Sequence, residues 1–144
     1  MIYETDIVSA LSKQIKAKFG KPVHTRNTKE GFKEDCFFIE TVDPQVSSIG
    51  TEMRETSLSV RVTWFPLGRY PQKDLWNVRK DLEELFFLGL KVNDDFYISY
   101  EEPLSFTQTS AGNLEMLMSL HYIEDLPEED GEMLKELETS IKEE

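Results

Sequence analysis

Cysteine is almost missing from this 144-residue chain: Cys36 stands alone, so no internal disulfide can form. The N-terminus, MIYETDIVSALSK, lacks the apolar stretch and cleavage site of a signal peptide, and the two absences together predict a reducing, cytosolic compartment. No run approaches the ~20 apolar residues that a bilayer span needs, so no membrane is expected as a partner. Histidine is scarce as well. His24 falls in a short polar stretch and His121 in an alternating one, neither with a second His or Cys at metal-ligand spacing, and no metal site is expected. The seven glycines are scattered as helix stops and turns, with no G-x-G-x-x-G or G-x-x-x-x-G-K-[ST] to cradle a phosphate, so no nucleotide cofactor is expected either.

Basic residues are in deficit. Sixteen Lys and Arg face 28 Asp and Glu, a formal charge of −12, which repels a free duplex and argues against a sequence-specific nucleic-acid reader. Cys36 opens an apolar segment, where a thiol is usually an inert packing residue with no base to activate it. Adjacent acids such as Glu83 with Glu84, or Asp94 with Asp95, read as solvated surface, since acid–base work needs two groups in different environments. With catalytic, metal and cofactor constellations all wanting, a structural or interaction protein is expected in place of an enzyme.

What the chain has is a core and a tail. At 39% hydrophobic and 11% aromatic residues it can bury one domain's worth of core. The charge divides unevenly: residues 124–144 hold ten acids and two lysines, a net of −8, whereas the preceding residues hold 18 acids and 14 bases. We therefore divide the chain into a body, residues 1–124, and an acidic extension, residues 125–144.

Ile7, Val8, Leu11, Ile15 and Phe19 recur at helical spacing, with Thr5 as the expected N-cap and Gly20 and Pro22 as the stop. Lys13, Lys16 and Lys18 fall on the opposite face, read as solvated. A short extended piece near Val23 and a polar turn at residues 27–31 precede Cys36-Phe37-Phe38-Ile39, which predicts a central strand covered on both faces. Residues 43–53, DPQVSSIGTEM, predict a mobile loop.

Leu58, Val60, Val62 and Trp64 alternate with Ser57, Ser59, Arg61 and Thr63 as in a half-buried strand. Pro71 opens a second helix with the stripe Leu75, Val78, Leu82, Leu85 and Phe86, ended by Gly89. Trp76 lies off that stripe and serves either to shield the core's edge or as a contact residue. A hairpin turning at Asn93-Asp94-Asp95, an extended piece at residues 105–109 and a long alternating strand complete the body. In the last strand Leu114, Met116, Met118, Leu120 and Tyr122 face one way. Glu115, Leu117, Ser119, His121 and Ile123 face the other, and that set is too apolar for plain solvent. Met133, Leu134, Leu137 and Ile141 give the extension an amphipathic stripe, which predicts a helix that docks on something. The fold class expected is α+β: a mixed, mostly antiparallel sheet with two helices packed on one face, plus a C-terminal acidic helix.

Four segments in order carry a resemblance: the opening helix, Lys29-Glu30-Gly31-Phe32-Lys33 leading into Cys36-Phe37-Phe38-Ile39-Glu40, the strand ending Trp64-Phe65-Pro66, and Leu88-Gly89-Leu90-Lys91-Val92 before a hairpin. Over residues 1–124 the chain resembles the small phage tail terminators of prophages and phage-tail-like particles in Gram-positive bacteria. The resemblance implies a non-enzymatic morphogenesis protein, made in the host cytoplasm and placed at the tail end of the particle. It implies a homo-oligomeric ring, typically a hexamer, that sits on the last ring of tail-tube protein, stops polymerisation, and presents a joining surface for sheath or head–tail connector. Candidate interface residues are Val46, Ile49, Arg54, Arg61, Trp76, Leu117, His121 and Ile123 in the body, and Leu134, Leu137 and Ile141 in the extension. The acidic extension would meet the Lys13, Lys16, Lys18 face of a neighbour. Two rivals stand beside this reading: an acidic inhibitor that mimics DNA, which a body of modest net charge disfavours, and a small enzyme of unrecognised type.

Overall fold

The computed structural model describes residues 1–25, 35–68, 71–100 and 102–126. Two helices and seven strands follow in the order α1 (Glu4–Phe19), β1 (Val23–His24), β2 (Cys36–Ile49), β3 (Met53–Phe65), α2 (Gln72–Phe86), β4 (Leu90–Asn93), β5 (Phe96–Tyr100), β6 (Ser105–Gln108) and β7 (Leu114–Asp125). The strands form one curled sheet in the order β1-β2-β3-β7-β5-β4, with β6 also on β7. Among the described strands only the β1–β2 pair is parallel. The α+β class is as the patterning predicted. The acidic helix expected in the extension, with the polar turn at 27–31, lies outside the described residues.

Both helices pack on one face. Ile7, Leu11 and Ile15 of α1 and Leu75, Leu82 and Phe86 of α2 join Val60, Val62, Met116, Met118 and Leu120 of the sheet in a single buried cluster. Register aligns these residues: Val60 stands opposite Met118, Val62 opposite Met116 and Leu58 opposite Leu120, so directly paired side chains share the core side of the sheet. Burying a Leu- or Met-sized side chain is worth about 1.5–3 kcal/mol, so this continuous stripe dominates the stability of the body.

Three local readings are corrected. First, α1 begins before Thr5: Tyr3 occupies the N-cap, because the Asp6 carboxylate accepts a hydrogen bond from the Tyr3 N–H at 2.8 Å. Second, β2 lies one strand in from the edge of the sheet and not at its centre, and among the described residues its outer neighbour β1 pairs it at Phe37 and Phe38 alone. Cys36 and Phe37, which face opposite sides, are both fully buried, as expected of a strand covered on both faces. Third, no loop spans residues 43–53. The β2–β3 ladder runs to Ile49 opposite Met53, and β7 pairs β3 as far as Asp125 opposite Met53. Local composition misled here because cross-strand pairing supplies the backbone hydrogen bonds that Ser, Gly and Pro do not favour on their own.

The breakers are instead absorbed at defined points. Asp43, at φ +50°, and Pro44 form a bulge between Val42 opposite Ser59 and Gln45 opposite Ser57, where a missing N–H costs little. Gly50, at φ +63°, makes the turn. The result is a three-stranded arm of β2, β3 and β7 running past the ends of the helices. The second face of β7, whose apolar content suggests cover by a helix or a neighbouring subunit, carries no helix among the described residues. No described helix is long and apolar enough to cross a membrane.

Candidate assembly surfaces

Three exposed surfaces follow from this geometry. The first is the bare face of the sheet. Arg61 of β3 stands between Glu40 of β2 and Leu117 of β7, and its guanidinium pairs the Glu40 carboxylate at 2.7 Å. That hydrogen bond, outweighing the partial burial that opposes it, holds Arg61 further into its charged form than an ordinary arginine. Two same-face positions along β7, His121 Nε2 lies 2.6 Å from Glu55 Oε1. Arg61, Leu117 and His121 thus lie on one face as the alternation of β3 and β7 requires, each partly exposed.

The second is the end of the arm. Ile49 pairs Met53, and Ile123 pairs Glu55 one step further on, so Ile49, Met53 and Ile123 crowd the same bare face, each 38–43% exposed. The bulge sets this arrangement. It shifts β2 by one residue, so that Val46 opposite Thr56 and Ser48 opposite Arg54 turn to the helix side while Ile49 turns away. Val46 is exposed because the helices do not extend over it, whereas Arg54 is partly buried. Arg54 lies 3.7 Å from Glu124 and donates to the Met1 sulfur, and Glu124 also accepts the Ile2 N–H at 2.6 Å. Val46, Ile49 and Arg54, adjacent in a sequence reading, are therefore divided between two faces and two kinds of environment.

The third surface is the outside of α2 and its exit. Trp76 is 56% exposed. Eleven residues on, three helical turns, Phe87 is 68% exposed, and Leu88 beside it is 76% exposed. Gly89 positions this exit. At φ +138°, a Cβ there would meet the Ile98 carbonyl oxygen at 2.5 Å and the Tyr97 ring at 2.6 Å. Tyr97 is itself exposed and extends the patch. Behind it the Tyr100 hydroxyl donates to the Phe86 carbonyl, and burial pushes the Tyr100 phenol well above its ordinary pKa. Sequence reasoning missed Phe87, Leu88, Tyr97 and Met53. Phe87 had a signal: it shares the off-stripe face that singled out Trp76. Leu134, Leu137 and Ile141 lie outside the described residues.

These surfaces are apolar or charge-paired patches. Among the described residues no group of three or more His, Cys, Asp or Glu could hold a metal ion. Exposed apolar patches of this kind mark candidate interaction surfaces.

The comparisons make the assignment specific. The family described as phage tail terminator protein matches residues 6–132, and the chain belongs to that family. The role of the protein is structural, in the phage tail. No curated protein matches the chain. Eight solved chains do, and one, which carries no functional description, is 20% identical with a TM-score of 0.50, covering 89% of this chain and 100% of its own. It shows the fold alone.

Proposed function

We propose that the protein caps the phage tail tube as a closed ring of identical subunits, a hexamer, halting tube polymerisation and offering its outer surface to sheath or head–tail connector. The observation that carries this reading is the family match over residues 6–132, which takes in all seven strands and both helices apart from the first two residues of α1. The surfaces support it. A ring that closes by rotation needs two different, complementary patches on each subunit. Here the arm end (Ile49, Met53, Ile123) and the α2 exit (Phe87, Leu88) are two such patches on separate elements. The bare face with Arg61, Leu117 and His121 supplies a further surface for the tube. Chemistry plays no part in this role. Assembly takes place in the host cytoplasm, and the finished ring resides at the tail end of the particle.

The test is a length assay. Purified chain is expected to run as a single ring-sized species by light scattering, and to shorten tubes when added to polymerising tube protein. Leu117→Asp together with Ile123→Asp is expected to abolish shortening while leaving the circular dichroism spectrum intact. A chain that stays monomeric at high concentration and leaves tube length unchanged would overturn the proposal.

A further inference from the structure

Between α1 and β2 the surface opens into a groove of about 740 Å³. Val8, Ser12, Lys13 and Lys16 line it from α1, and Ile39 and Thr41 from β2. Its floor is apolar: Ile39 is buried and Val8 is packed against the core. Two acids also border it, but both are engaged. Glu4 accepts from the Thr41 hydroxyl at 2.9 Å, and Glu40 is held by Arg61. Lys13 and Lys16, both exposed, form no ion pair with any described residue, so the rim is basic.

The end of the arm has the complementary chemistry on a projecting shape. Met53 stands between Ile49 of β2 and Asp125 of β7, which sets two apolar side chains and a carboxylate in one row across the tip. Glu52, in the turn beside them, and Asp125 are both exposed, and neither forms an ion pair with a described residue. The other charges nearby have partners: Arg54 lies against Glu124, and Glu55 against His121. The tip is also held in shape, since the Leu126 N–H donates to the Glu52 carbonyl at 2.7 Å and ties β7 to the turn.

A subunit cannot fill its own groove with its own tip. Thr41 at the groove and Ile49 at the tip belong to the same strand, about 26 Å apart at ~3.3 Å per residue. Ile49 also turns away from the face on which α1 lies. The tip therefore meets such a groove only on another copy. The α2 exit is the rival counterpart, but the hollows beside Phe87 are bordered by Glu83, Glu84 and Glu102 with Lys80, a net charge of the same sign as the arm's. The groove is the surface of opposite sign, and charge complementarity selects partner and register.

We propose that the arm tip of one subunit docks in the α1–β2 groove of a second copy of this chain. Glu52 and Asp125 meet Lys13 and Lys16, and Ile49 and Met53 cover Val8 at the groove's floor. One tip and one groove on each subunit make a heterologous contact, the kind that closes into a ring by rotation. The proposal rests on the ring reading and names the contact that closes it.

Charge reversal tests it. Lys13→Glu with Lys16→Glu, and separately Glu52→Lys with Asp125→Lys, are each expected to cut the assembled fraction in light scattering by about tenfold or more, with circular dichroism unchanged. Each variant carries like charges at tip and groove. Mixed in equal amounts, the two variants present opposite charges at both contacts and are expected to assemble in alternation. In an equal mixture of unlabelled and ¹⁵N-labelled unaltered chains, zero-length carbodiimide cross-linking is expected to join Lys13 or Lys16 to Glu52 or Asp125 across the isotopic populations. Assembly unchanged by the reversals, no rescue in the mixture, or links confined to one population would overturn the docking while the ring reading stands. Links from the two lysines to acids of residues 127–144 in place of Glu52 and Asp125 would give the groove another occupant, with the same consequence. An unaltered chain that stays monomeric at high concentration would overturn the ring reading and the docking with it, so the two failures read out differently.

Discussion

Replacing Gly89 by alanine tests how the α2 exit is built. At φ +138° the backbone occupies a region that L-residues rarely enter, and such strain costs of order 1–3 kcal/mol. The added Cβ would also sit 2.5 Å from the Ile98 carbonyl oxygen and 2.6 Å from the Tyr97 ring. The ring can swing aside. The carbonyl cannot, because Ile98 is paired with Leu90 across the β4–β5 ladder and both residues are buried. Overpacking of that kind adds about 1–3 kcal/mol, so a total near 3–4 kcal/mol is expected. Gly20→Ala is the control. Its φ is +65° and nothing lies within 4 Å of a Cβ there, so only the left-handed penalty of about 1–2 kcal/mol applies. With a urea slope of about 2 kcal/mol/M, the midpoint should fall by roughly 1.5–2 M for Gly89→Ala and about 0.5–1 M for Gly20→Ala. Adding Tyr97→Ala to Gly89→Ala should recover only the ring's share. Equal midpoints for the two alanine variants would refute the assignment of the larger penalty to the carbonyl contact.

Other outcomes follow from single contacts. Because burial raises the Tyr100 phenol's pKa in the folded state, its stabilising effect is complete below pH ~10, the unfolded value, and is lost as pH rises from there towards the folded one. Tyr100→Phe should therefore flatten part of the alkaline fall in urea midpoint between about pH 9 and 11, leaving the part due to the similarly raised Tyr122. Glu124→Ala removes the acceptor of the Ile2 N–H and leaves Arg54 without its carboxylate, at an expected cost of about 2–3 kcal/mol in urea unfolding. Adding Arg54→Met should restore part of that loss, which a double-mutant cycle measures. Trp76→Ser should change stability by less than about 0.5 kcal/mol, since more than half of the residue is exposed, while lowering ring yield in light scattering if α2 forms a subunit contact.

Much of the body was legible along the chain. The helical spacing of Ile7, Leu11 and Ile15, and of Leu75, Leu82 and Phe86, marked residues that the fold buries. Alternation in Leu58 to Trp64 and in Leu114 to Tyr122 marked the two strands that meet in the middle of the sheet. Periodicity is enough for these because one side of each element faces the core along its whole length. The arm was not legible, as Asp43, Pro44, Ser47, Ser48 and Gly50 all favour turns, and only pairing with β3 makes them strand. Nor was the division of Val46, Ile49 and Arg54, which depends on a one-residue bulge that no composition signals.

Charge tells the same story from the other direction. The sequence by itself determined that most of the −12 belongs to the last 21 residues, and that the body has one core with two helical and several strand-forming faces. Local pattern suffices for that, since burial imposes its period on the residues that supply it. Only the tertiary structure decided that Glu4 and Glu40 are already engaged while Lys13 and Lys16, beside an apolar floor, pair with no described acid. Whether a charge is spent depends on what stands opposite it. α1 and β2 are brought together by packing, and no spacing along the chain records that neighbour.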